Sequence, residues 1–147
     1  MLRVLKAFVP AVLFTYVLAS ILSTQFILGS LQGMGVDVGV MVRLSTTLHD
    51  LVGLSTSYLI LILVAFILGL PVAAGLSKLM PSQRLVLFVL AGFVAIVALH
   101  LIMKAVLGMS AIAATRTMFG LLSQGVAGAA GGYLYFRLSR PASEVMQ

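Results

Sequence analysis

Four stretches of the 147-residue chain carry almost nothing but apolar side chains: Ala7–Leu28, Leu51–Leu76, Leu85–Val106 and Thr117–Phe136. Bilayer hydrocarbon is roughly 30 Å thick and a helix rises about 1.5 Å per residue, so some 20 apolar residues cross it. The first, second and fourth stretches contain no charged residue. The third contains only His100 and Lys104, both near its end. A helix lying on a membrane surface would show a charged face, which these lack. Strands of a membrane barrel would alternate apolar and polar residues, and the run Leu59-Ile60-Leu61-Ile62-Leu63-Val64 does not. The pattern predicts an all-α integral membrane protein whose four transmembrane helices form a compact bundle, one domain over 1–147.

The breaks between the stretches are unequal. Pro81 marks a short second connection, and 107–116 is a short third one. The first, 29–50, is the only substantial loop. Val36, Val38, Val40 and Val42 alternate there, but a lone strand has no partner. The expectation is an irregular start, then a helix from about Val40 that continues into the second span. Pro71 should kink or end that span. Arg3, Lys6 and Val17-Leu18-Ala19 imitate a cleavable signal. Ile21, Phe26, Ile27 and Leu28 prolong the apolar run beyond it, so the segment reads as an uncleaved helix.

Composition agrees: 62% of residues are hydrophobic and 8% charged, against about 25% charged in an average soluble domain. That excludes a soluble enzyme, a disordered tail and a nucleic-acid-binding domain. The net charge of +6 comes from nine Lys and Arg scattered singly or in pairs. They read as topology signals, not as a nucleic-acid surface. Arg3, Lys6, Lys78, Arg84, Arg137 and Arg140 fall on one side of the four spans. Arg43, Lys104 and Arg116 fall on the other. Positive charge collects in the cytoplasm, which predicts both termini there and a multi-pass protein of a bacterial-type inner membrane. Cysteine is absent, which removes disulfides and thiol chemistry.

Polar side chains cluster in the outer half of the spans. Ser20, Ser23, Thr24 and Gln25 lie in the first, and Ser55, Thr56 and Ser57 in the second. His100 and Lys104 lie in the third, and Thr115, Arg116, Thr117, Ser123 and Gln124 at the fourth. Such groups usually face the bundle interior or a wet cavity. One reading is a polar pocket roofed by Asp37, Arg43, His49 and Asp50 of the first loop. The other is simple solvation at the headgroups. In the pocket reading Arg43, His100, Lys104, Arg116 and Gln124 converge on an anionic or lipidic ligand. His100 and Lys104 are one helical turn apart and suit an anionic headgroup or a quinone oxygen. Alternatively, Lys104 snorkels to the surface above His100. His49 and His100 are the only pair that a b-type haem would have as axial ligands. Nothing else in the chain supports one, and neither cofactor nor metal is expected.

Gly120, Gly125, Gly128, Gly131 and Gly132 give the fourth span a helix-packing face, with Gly128 and Gly132 in GxxxG spacing. The face serves packing inside the chain, against Thr15, Ala19 and Ser23, or contact with a partner or a second copy. No Asp or Glu lies in a span, which argues against proton- or sodium-coupled cation export. No nucleotide-binding loop, HExxH or GxSxG motif is present. The sequence therefore supports a non-catalytic accessory or assembly subunit acting through helix contacts. Its alternative is binding or transport of a small anionic or lipidic ligand. The expected partners are the bilayer and another membrane protein or itself, through the fourth span.

Overall fold

A computed structural model describes residues 2–108, 110 and 112–139. Arg140 and Glu144 lie outside them. Five helices follow one another: α1 Leu2–Gly33, α2 Val40–Gly53, α3 Tyr58–Leu79, α4 Arg84–Leu107 and α5 Met118–Ser139. Short 3-10 turns at Pro81–Gln83 and Ala113–Arg116 join the last three. No strand occurs among the described residues, and the valines at 36–42 pair with nothing.

Three helices are long and apolar enough to cross a membrane: Val4–Gly33, Tyr58–Leu79 and Pro81–Leu107. The fourth expected span is helical as α5, which matches α3 in length at 22 residues. Its glycines, with Ser123 and Gln124, leave it less apolar than the other three.

Two local expectations need correction. The helix from Val40 does not run on into the second span. Gly53 ends α2, and residues 54–57 form a turn before α3 starts at Tyr58. There the Ser55 hydroxyl donates to the Val52 carbonyl at 2.6 Å, and the Ser55 amide donates to the same oxygen. Such local bonds compete with the helical ladder. Pro71, conversely, does not end α3, which continues to Leu79. Its ring is exposed, and the helix carries it without the bond that the missing N–H would have made.

The helices pack as antiparallel neighbours, with close approach where side chains are smallest. A Cβ built on Gly92 of α4 would collide with the Gly128 carbonyl of α5. One on Gly128 would collide with the Gly92 carbonyl, and one on Gly132 with the Phe88 carbonyl. On another flank of α5, a Cβ on Gly131 would strike Thr15 Oγ1 of α1. Gly125 faces Phe93 and Val97, and Gly120 faces the Ala114 carbonyl. All five glycines singled out in the sequence are thus occupied within the chain. Their main counterparts are Gly92 on α4 and Thr15 of α1.

At one end Arg84 lies over the rings of Phe88 and Phe136, at 5.8 and 5.9 Å from the centroids. Arg137 sits 5.8 Å over Tyr133 at the same end. At the other end α4 stops at Gly108, whose φ of +66° is a left-handed cap that favours glycine.

Candidate functional site

One polar layer in the interior joins α1, α3, α4 and α5. Tyr58 opens α3, so its side chain enters the interior at that helix's first turn. His100 comes from the last two turns of α4, and Gln124 from the second turn of α5. All three are buried, Gln124 completely at 0% exposure. The Tyr58 hydroxyl donates to Gln124 Oε1 at 2.7 Å, and Gln124 Nε2 donates to the Ala19 carbonyl of α1 at 3.2 Å. His100 Nδ1 lies 2.8 Å from the Ile96 carbonyl, so this nitrogen carries the hydrogen. Nε2 lies 3.4 Å from the Tyr58 oxygen. One chain of contacts thereby links four helices.

Hydrogen counting shows what this chain can do. Tyr58 has one hydroxyl hydrogen, and Gln124 receives it. In a neutral His100 the Nε2 lone pair therefore faces an oxygen that has no hydrogen left to give. A hydrogen on Nε2 would complete the series from His100 to Tyr58, Gln124 and Ala19 with a single donor in every link.

A second polar seam binds α2 to α1. Arg43 donates to Gln25 Oε1 at 2.7 Å and to Gln32 Oε1 at 2.8 Å. Gln25 Nε2 donates to Thr47 Oγ1 at 3.2 Å. Thr24 donates to Asp50 Oδ2 at 2.7 Å, its hydroxyl also lying 3.0 Å from the Ser20 carbonyl. The Tyr16 hydroxyl donates to the Leu51 carbonyl. That carbonyl is freed by the turn after α2, because the Ser55 amide has moved to Val52. Ser20 Oγ is buried between the two polar regions.

Of the five ligand candidates, only His100 and Gln124 are brought together, through Tyr58. Arg43 belongs to the α1–α2 seam. Lys104 and Arg116 are exposed, as are Asp37 and the second histidine, His49 of α2. Sequence reasoning passed over Tyr58 and Tyr16. The available signal was that each carries a polar tip at the same edge of an apolar run as the Ser and Thr clusters. Pairing Tyr58 with residues 42 and 66 positions away had no local signal.

A different concavity lies between α3 and α4. This apolar groove of about 670 Å³ runs from Val64 to Leu76 on one helix and from Leu87 to Ile102 on the other. Gly69, Ala91 and Ala95 make its floor: a Cβ on Gly69 would lie 3.0 Å from Ala95 Cβ. Leu68, Val72, Leu90 and Val94 stand exposed along it.

No family model, curated protein or solved structure matches this chain.

Proposed function

We propose that this is a non-catalytic multi-pass membrane subunit that acts through helix contacts, with the α3–α4 groove receiving an apolar helix of its partner. The groove carries the reading. Helices gain little from the hydrophobic effect inside lipid, so they associate where small residues let backbones come close. Gly69, Ala91 and Ala95 provide such a floor, and the described residues leave it uncovered. Of the three long apolar helices its two are the less covered, 28% and 22% buried against 39% for α1. The polar layer fits the same role, because Tyr58, His100 and Gln124 connect helices to one another.

In this reading α5 crosses the membrane as the fourth helix of a bundle with α1, α3 and α4. Its backbone contacts with α4 and α1 support that. The split of Lys and Arg, six against three, supports cytoplasmic termini and an inner membrane of bacterial type.

Photo-crosslinkers at Leu68 and Val94 test the proposal in native membranes, with Val9 and Val126 as exposed controls. Both groove positions are expected to join the same mapped helix of one protein, and Ala95→Leu should abolish the product. Adducts with lipid alone at Leu68 and Val94 would overturn it in favour of a lipidic ligand.

A further inference from the structure

Helix α2 turns its polar side toward the protein and its apolar side away. Arg43, Thr47 and Asp50 recur at helical spacing and hydrogen-bond to Gln25, Gln32 and Thr24 of α1. Rotating the helix to hide its apolar residues would break all of these bonds. Met41, Leu44, Leu48 and Val52 form a separate stripe, 78%, 60%, 59% and 76% exposed. At about 100° per residue, a third flank lies between them and carries Ser45, Thr46 and His49, with the exposed Val42 among them. Neither charged side chain of the helix, Arg43 or Asp50, lies on the stripe.

We propose that α2 is a lipid-interface helix: one flank is fixed to α1, the Met41–Val52 stripe enters the acyl-chain boundary, and the Ser45–His49 flank meets headgroups and water. A helix in the plane of an interface needs an apolar face in lipid and a polar face outside it. Here part of the polar face is held by protein. Two observations name lipid as the occupant. The stripe leads along the chain into the exposed apolar surface of α3, beginning at Ile60 and Leu63, a helix apolar enough to cross the bilayer. The carbonyl freed at the turn joining the two helices is also satisfied from inside the protein, since Tyr16 supplies its donor and water is not needed there. The inference rests on α1, α3 and α4 crossing a bilayer but not on the groove or its partner.

The chain has no cysteine, so single cysteines can carry spin labels in the full protein, reconstituted in phosphatidylethanolamine–phosphatidylglycerol vesicles. Labels at Leu44, Leu48 and Val52 should collide several-fold more often with oxygen than with a water-soluble nickel chelate. Labels at Ser45 and His49 should show the reverse. Leu68 of α3 reports whether the spans themselves are in lipid. Nickel access along the stripe with Leu68 protected would overturn the inference alone, and nickel access at Leu68 as well would overturn the membrane reading beneath it. Shielding of the stripe from both reagents, with spin–spin broadening, would overturn it in favour of a second copy. Tryptophan at Leu48, quenched by brominated lipid, gives the same discrimination should a labelled variant misfold, because the chain has no native tryptophan.

Discussion

Helix α4 presents two very different faces. Toward α5, Gly92 brings its backbone against that of Gly128, and almost any added atom collides. Toward α3, Ala91 and Ala95 form the floor of an open groove, and Leu90 and Val94 beside it are exposed. Small residues occur on both faces, yet only one is filled. Small residues therefore mark where a close approach is allowed. Whether this chain or another molecule makes that approach depends on the opposing surface. Against α4, α5 offers glycines in matching register, whereas α3 offers Gly69 alone among larger side chains such as Leu68 and Val72.

The sharpest way to break this contrast is Gly128→Leu. The leucine would meet the Gly92 carbonyl and Ile96, at an overpacking cost of about 3 kcal/mol or outright loss of the fold. The unfolding midpoint in detergent should fall accordingly. Gln124→Leu comes next. It removes the acceptor for Tyr58 and the donor to Ala19, with an expected loss of about 1.5 kcal/mol by the same measurement. Tyr58→Phe deletes one hydroxyl from the layer, and hydrogen bonds between membrane helices average about 0.6 kcal/mol. The smallest effect belongs to the open face: Val94→Leu should move stability by no more than about 0.5 kcal/mol. A Val94→Leu loss equal to that of Gly128→Leu would erase the distinction between the faces.

How much of this was legible in the sequence differs by feature. Apolar run length revealed the long helices, because crossing lipid leaves no other way to satisfy the backbone. GxxxG spacing revealed the packing face of α5. Its counterpart Gly92 stood alone in an apolar run, and a single glycine has no periodicity to read. The break after Gly53 was obscured because the residues on both sides are helical in character. Arg43 read as a ligand-binding cation because its partners Gln25 and Gln32 lie on another helix. The Tyr58 layer depends on three helices meeting at one level, and helix register across a bundle is set by tertiary packing.

The lengths of α1 and α3 set a mechanical condition. At about 1.5 Å per residue, the 32 residues of α1 span about 48 Å and the 22 of α3 about 33 Å. No slab of hydrocarbon fits both when they stand side by side. Tyr16 and Tyr58 pack edge to face with centroids 6.3 Å apart, which marks one level shared by the two helices. The surplus of roughly 15 Å must tilt or emerge, and α2 is tied to the Thr24–Gln32 part of α1. Wherever both helices share one bilayer, α1 must therefore lean or carry the α1–α2 hairpin beyond the end of α3.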